Sequence, residues 1–301
     1  MVEATIASAA LPNRLAPGDL HVRPGPGGAV RVRPDTAGWR YLSFWTQRLE
    51  HEPLSVASES QESVVVLLSG PDLVVRDVGA LPGRLSPFDG LPSAVHVPAG
   101  AQAELSASGP VDLAIAQAPR SSDENAQRRP VLIGPEAIEV EIRGAGNATR
   151  QINHIVKPDF TADRLLVVEV LTPSGNWSSW PPHKHDEDRM PDEAVLEEVY
   201  HYRFRRPEAW GLQRLYRRPG TPLFDAAGPR DATFVVHHGD TVLVTDGYHP
   251  FVAAHGDDAY YLNALAGDRR TMACSFDPDL DWVRSSWSSL APDPRVPLVA
   301  R

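Results

Sequence analysis

Two stretches decide the reading of this chain: Pro181-Pro182-His183-Lys184-His185 and, thirteen positions after its second histidine, Glu198 within Leu196-Glu197-Glu198-Val199-Tyr200-His201-Tyr202. Successive side chains of a strand leave on opposite faces, so His183 and His185 share one face and Lys184 takes the other. The second stretch is rich in aromatic and β-branched residues and predicts a strand. If Glu198 points inward, Tyr200 and Tyr202 follow it by parity, and Val199 and His201 point away. Glu197 competes with Glu198 as a ligand, and the choice turns on strand parity.

A third signal lies in Gly247-Tyr248-His249-Pro250, where a strand begun near Thr241 emerges from a turn. His183, His185, Glu198 and His249 together make a donor set suited to one divalent ion per chain, with Zn, Mn, Fe, Ni and Co all compatible. Three imidazoles and a carboxylate leave coordination positions open, as a catalytic site requires. An isolated His-X-His pair is more often exposed or hydrogen-bonded than metal-bound; the downstream Glu and the Gly-X-His strengthen the metal reading. His237-His238 sits directly before Gly239-Asp240 and reads as a hairpin turn, and Asp186-Glu187-Asp188 reads as a solvated loop.

Outward from these motifs the chain alternates short apolar runs with turns. In the first half, strands are expected at Tyr41 to Leu49, Glu62 to Leu68, Leu73 to Val75, Ala94 to Val97, Gln102 to Ser106 and Asp112 to Gln117. Gly70-Pro71-Asp72, Pro98-Ala99-Gly100 and Gly109-Pro110 punctuate them. A polar stretch from Pro119 to Arg129 has almost nothing to bury and reads as a connection between domains 1–125 and 126–301. A second series runs through Ile138 to Ile142, Leu165 to Leu171, Glu198 to Phe204, Gly211 to Tyr216, Thr241 to Thr245 and Tyr260 to Leu265. The expected class is all-β, with a sandwich or barrel in each half and a tandem duplication as its origin. The first half has only His21, His51 and His96, with no pair at ligand spacing, so it is expected to be structural or to supply part of a cleft wall.

Composition narrows the partners. The 301 residues carry 29 Pro and 22 Gly, scattered rather than clustered, which fits many strands joined by tight turns. A formal net charge of -10 opposes binding to nucleic acid or acidic membranes, while leaving room for a small anion held by local Arg or Lys. A single cysteine, Cys274, forms no internal disulfide. With no leader-like start and no run long enough to span a bilayer, a cytoplasmic location is expected.

Gly175-Asn176-Trp177-Ser178-Ser179, the Pro-Pro-His-Lys-His-Asp run, Leu196-Glu197-Glu198-Val199-Tyr200, Gly247-Tyr248-His249-Pro250 and Tyr260-Tyr261-Leu262-Asn263 resemble the 5-deoxy-glucuronate isomerases of myo-inositol catabolism. The likeness extends through Phe88-Asp89-Gly90-Leu91-Pro92 and Gly144-Ala145-Gly146-Asn147-Ala148-Thr149-Arg150, and so covers nearly the whole chain. It implies a bicupin, two tandem cupin (jelly-roll type) β-barrels, the second holding metal on His183, His185, Glu198 and His249. It also implies conversion of 5-deoxy-D-glucuronate to 5-dehydro-2-deoxy-D-gluconate.

For that reaction Glu197, Tyr200, Tyr202 and Tyr248 are the expected proton carriers. Arg214, with Tyr216 and Lys184, is expected at the substrate, although parity turns Lys184 from the metal. The chain departs from the pattern in three places: an insertion before Glu198, Thr245-Asp246 in place of Pro-Arg, and His201 where an aromatic is commoner. Rival readings are a 4-deoxy-5-ketouronate ketol-isomerase of pectin breakdown and a non-catalytic sugar-acid-binding cupin. Sheet edges in cupins often pair between subunits, so a homo-oligomer is expected.

Overall fold

The computed structural model describes residues 17–121 and 129–300; the boundary expected at 125/126, and most of the polar connection around it, lie outside the described residues. Every named strand pairing is antiparallel. In the first half a six-stranded sheet runs in the order Val131–Ile133, Ala94–Val97, Gln61–Ser69, Val111–Pro119, Ser43–Leu49, Arg31–Val32. It faces a four-stranded sheet of Leu54–Ala57, Gln102–Ala107, Leu73–Val75 and Gly79–Leu81. The second half repeats the plan. Its seven-stranded sheet is ordered His21–Val22, Thr241–Val244, Glu197–Phe204, Ala259–Ala266, Leu165–Thr172, Arg150–Val156, Glu139–Arg143. The opposing sheet is ordered Trp177–Ser178, Phe251–Ala253, Trp210–Tyr216, Asp231–His237.

The two halves exchange edge strands. His21–Val22, from the start of the chain, pairs with Thr241–Val244, and Val131–Ile133 pairs with Ala94–Val97 in the first-half sheet.

Gln61–Ser69 shows why the large sheets are continuous apolar runs. Val65 and Leu67 join an aliphatic cluster with Leu73, Val95, Leu105 and Ile115 that fills the first barrel. Val64, Val66 and Leu68 belong instead to a larger cluster with Val167, Val199 and Leu262 of the second half. A strand buried on both faces carries no polar alternation.

The register makes the internal repeat explicit. Ser63 pairs with Val97, and Glu198 pairs with Val244, each partner being the last residue of the equivalent strand. Glu62 and Glu197 therefore hold matching positions, and each caps the opposite half. Glu62 accepts the backbone N–H groups of Asp163, Arg164 and Leu165 at 2.8, 2.6 and 2.8 Å. Glu197 accepts those of Arg40, Tyr41 and Leu42 at 2.6, 2.9 and 2.8 Å. Where the second barrel has Glu198, the first has Ser63, and its interior is filled by aliphatic side chains.

Most expected strands form within a residue or two of the expected bounds. Arg150–Val156 was not expected, because Arg150, Gln151 and Asn153 are polar and yet buried. Gln151 is satisfied by the C-terminal segment, accepting from the N–H of Leu298 at 2.7 Å and donating to the carbonyl of Val299 at 2.8 Å. Among the described residues no helix is long and apolar enough to cross a membrane.

Candidate metal centre and its pocket

Three elements deliver the donor atoms. His183–Lys184 is a short strand paired with Ser275–Phe276, and His185 follows it directly. Glu198 lies in Glu197–Phe204. His249 sits in the turn before Phe251–Ala253 and is fully buried. That turn depends on Gly247, whose φ is +81° and where an added Cβ would stand 2.5 Å from the Tyr216 carbonyl oxygen.

Ligand-type atoms of His185, Glu198 and His249 all lie within 4.8 Å of one another. His183 borders this group, its ring centroid 4.5 Å from that of His249 and 6.3 Å from that of His185. The imidazole orientations are set from behind: His185 Nδ1 faces the Leu196 carbonyl at 2.9 Å, and His249 Nδ1 faces the Gly247 carbonyl at 3.0 Å. Each Nδ1 therefore carries the hydrogen, leaving Nε2 as a lone-pair donor. His185 Nε2 is 2.8 Å and His249 Nε2 3.5 Å from Glu198 Oε2, and His249 Nε2 has no hydrogen-bond partner. A buried carboxylate facing two imidazole nitrogens is satisfied by a proton on His185 or by a bound cation, and a divalent metal fits this donor set.

Electrostatics follow from burial. Burial raises the Glu198 carboxyl above its ordinary range, against the pull of His185. Burial, reinforced by His185, brings His249 down to about 3. Burial, with His249 and His185 adding, holds His183 well below its usual value. For His185, burial acts downward but the Glu198 carboxylate outweighs it, leaving the imidazole raised.

A cavity of about 310 Å³ opens from this centre. His183, His185 and Glu198 line it, with apolar walls from Trp180, Leu196, Leu265, Met272 and Phe276. Arg143, Arg150 and Arg284 also line it, and Cys274 and Trp287 complete it. The arginines are functional-looking residues that the sequence reading missed. The signal the sequence holds for them is the Gly144-Ala145-Gly146-Asn147-Ala148-Thr149-Arg150 turn, which Arg143 precedes and Arg150 closes.

Several expected site residues lie elsewhere. Parity placed Glu198, Tyr200 and Tyr202 on one face, and the structure agrees, but neither tyrosine lines the cavity. The Tyr200 hydroxyl is bound to Ser179 Oγ at 2.8 Å, Tyr202 donates to Gln213, and burial raises both phenols well above their ordinary value. Tyr248 stacks on Tyr216, with centroids 5.2 Å apart, and Tyr216 donates to Asp277, so both are held outside the cavity.

Glu197 is the plain correction: it faces the first half, where three backbone amides hold it, and can neither ligate nor carry a proton at the centre. Arg214 is also corrected. Its guanidinium pairs with Asp231 at 2.8 and 2.7 Å on the exposed side of the small sheet and lies over the Tyr216 ring.

Lys184 is turned from the centre as parity required, but it is not at the substrate. Its ammonium binds Asp186, Glu187 and Glu193 at 2.6, 2.7 and 2.8 Å. The start of the expected solvated loop is thus an internal ion cluster. Asp186 also accepts the Gly247 N–H at 2.7 Å, which ties the His183–His185 segment to the turn bearing His249. This second acidic group already holds a cation, the ammonium itself.

Two barrels sharing one plan, the second with two oriented imidazoles and a carboxylate beneath a cationic cavity, define a cupin whose second barrel carries a metal-type centre. The chain belongs to the KduI/IolB family, whose model matches residues 20–283. It is 40% identical over 268 residues to a 5-deoxy-glucuronate isomerase of Geobacillus kaustophilus, spanning 86% of this chain and 92% of that one. A crystal structure of an IolB-like protein from Salmonella typhimurium LT2 superposes with a TM-score of 0.75 at 32% identity, covering 85% of this chain and 94% of the other. A Bacillus subtilis oxalate decarboxylase, described for its Mn(II) centres, superposes with a TM-score of 0.52 at 11% identity over 82% of this chain and 74% of its own, a likeness of fold alone.

Proposed function

We propose that this chain is a metal-dependent aldose–ketose isomerase that interconverts 5-deoxy-D-glucuronate and 5-dehydro-2-deoxy-D-gluconate, as in myo-inositol catabolism. The observation that carries the reading is the convergence of His185, Glu198 and His249 at one end of a cavity lined by arginines, in a chain 40% identical to a protein of that name. Residues 126–301 supply the chemistry, and residues 1–125 support it through the shared sheet interface and the exchanged edge strands.

His183, His185, Glu198 and His249 would hold one divalent ion, whose chemistry is Lewis-acid polarisation of neighbouring carbonyl and hydroxyl oxygens. The chain's own part is to bind, orient and dehydrate the sugar acid. Trp180, Leu196, Met272 and Phe276 exclude water from the reacting carbons, which strengthens every charge interaction in the cavity. The reaction moves a proton from the hydroxyl-bearing carbon to the adjacent aldehyde carbon. The Glu198 oxygen and the His183 ring nitrogen not engaged by the ion are cavity-lining atoms able to hold that proton.

The test is a side-by-side incubation of purified, metal-supplemented protein with 5-deoxy-D-glucuronate and with the 4-deoxy-5-ketouronate of pectin breakdown, followed by proton NMR. Loss of the aldehyde signal and growth of a ketose from the first substrate alone supports the reading. Turnover of the second alone would move the chain to the pectin reaction, and binding without turnover of either would make it a sugar-acid-binding cupin.

A further inference from the structure

We infer that Arg150 is the residue that binds the carboxylate of the sugar acid, with Arg143 and Arg284 forming the cationic rim around it. The inference rests on the uronate reading above and assigns the part of the cavity that receives the end of the substrate remote from the aldehyde.

Four arginines of the described chain are buried: Arg84, Arg150, Arg217 and Arg230. Three have a carboxylate. Arg84 pairs with Glu169, and both Arg217 and Arg230 pair with Asp246. Arg150, 5% exposed, has none among the described residues. Its Nη1 donates to the carbonyls of Ala148 and Trp180 at 3.0 and 3.1 Å, and no hydrogen bond uses its Nε or Nη2. A buried guanidinium without a counter-ion is costly unless a bound anion supplies one.

The sheet register sharpens the point. Arg143 and Arg150 are direct cross-strand partners in the hairpin of Glu139–Arg143 and Arg150–Val156, and like charges in that relation repel. Arg143 is compensated by a bidentate pair with Glu141 at 2.7 and 2.8 Å. Arg150 is left to face the cavity. The turn joining the strands is shaped around it: at Gly144, with φ +86°, an added Cβ would stand 2.1 Å from the Ala148 oxygen and 3.0 Å from Arg150 Nη1.

From the other side, the C-terminal helix Trp282–Ser286 brings Arg284 over the Phe276 ring at 4.3 Å, and the 3-10 turn after it, Trp287–Ser289, sets Trp287 beneath Arg150 at 5.9 Å. The free edge of Arg150, carrying Nε and Nη2, is the fork that accepts a carboxylate bidentately. Arg150 and the His/Glu centre line the same cavity, so one sugar acid can meet both.

The test compares wild type, Arg150→Gln and Arg150→Lys on two aldoses, 5-deoxy-D-glucuronate and 5-deoxy-D-glucose, in which CH2OH replaces the carboxylate. The inference predicts that R150Q raises KM for the uronate by about 10- to 100-fold. It further predicts little change in kcat, in KM for the neutral sugar or in metal content. R150K should recover only part of the loss, because an ammonium lacks the fork. An unchanged uronate KM, or an equal rise for both sugars in R150Q and R150K, would overturn it. If wild type turns over neither sugar, the isomerase reading has failed first; quenching of Trp180 and Trp287 fluorescence by the uronate then decides Arg150 alone, with binding in wild type and its loss in R150K and R150Q supporting the assignment and equal binding in all three refuting it.

Discussion

His185 Nε2 stands 2.8 Å from Glu198 Oε2, while the other nitrogen of the same imidazole faces the Leu196 carbonyl at 2.9 Å. The Leu196 carbonyl thereby takes the Nδ1 side and turns Nε2 to the carboxylate, where a proton on the ring or a bound cation is stabilised. Replacing Glu198 by Gln keeps the shape and removes the charge. The expected outcome is a loss of metal affinity of more than about 100-fold, since disturbing outer partners of such sites alone costs 10- to 100-fold. Titration with a divalent ion, read by calorimetry on both proteins, checks it.

Lys184 is a rivet rather than a substrate ligand. Removing its ammonium in Lys184→Met takes the shared cation from Asp186, Glu187 and Glu193, leaving Glu193 with Arg189 and two backbone N–H groups, and loosens the tie between the His185 segment and Gly247. Stability should fall by about 3 kcal/mol, and metal affinity by roughly tenfold in the protein that remains folded. Urea unfolding and metal titration measure the two effects separately. Unchanged affinity in a destabilised protein would confine Lys184 to stability.

Glu197 and Glu198 are neighbours with opposite duties. In Glu197→Ala three backbone amides at the junction of the halves lose a charged acceptor, so stability should drop by about 2 to 4 kcal/mol. Metal content should stay at the wild-type level. A metal-free but stable E197A protein would reverse the assignment of the two glutamates.

Histidines that stay neutral inside the fold make it acid-sensitive. Burial holds His201 well below its ordinary value, and its Nδ1 is bound to Thr241 Oγ1 at 3.0 Å, while Nε2 has no partner. Above the unfolded-state value, near 6.5, both states are neutral and stability is complete. As pH falls below it the unfolded chain takes up a proton that the folded chain does not, and stability is lost towards the lower folded value. Each unit of pH in that window removes about 1.4 kcal/mol for one such group. His201 packs against the Phe44 ring at 5.6 Å, so His201→Phe keeps an aromatic side chain there. Denaturant unfolding between pH 7 and 5 should fall less steeply for H201F than for wild type; parallel slopes would show that His201 does not contribute.

What could be read in advance divides by the kind of physics involved. Strand alternation placed His183 and His185 opposite Lys184, and Glu198 with Tyr200 and Tyr202, because those relations are local. The cavity depends on what comes from far away in sequence. Arg150 and Arg143 meet across a hairpin whose second strand is buried yet polar, and Arg284 arrives from the C-terminal helix. Arg214 was legible as a strand arginine, but its pairing with Asp231 depends on the register between two strands, Trp210–Tyr216 and Asp231–His237, which strand alternation alone does not fix. Arg214→Ala should accordingly leave the substrate KM within about twofold of wild type, as expected of a surface ion pair; steady-state kinetics test this directly. The capping roles of Glu62 and Glu197 were out of reach, because each acts on backbone of the other half.

The most direct test of the whole account is the rate of conversion of 5-deoxy-D-glucuronate by metal-supplemented wild type and by the His185→Ala/His249→Ala double variant, with the divalent-ion content of both measured in the same samples. The account predicts about one ion per chain with ketose formation in wild type, and loss of both together in the double variant. Conversion at the wild-type rate by a double variant that binds no ion would contradict it.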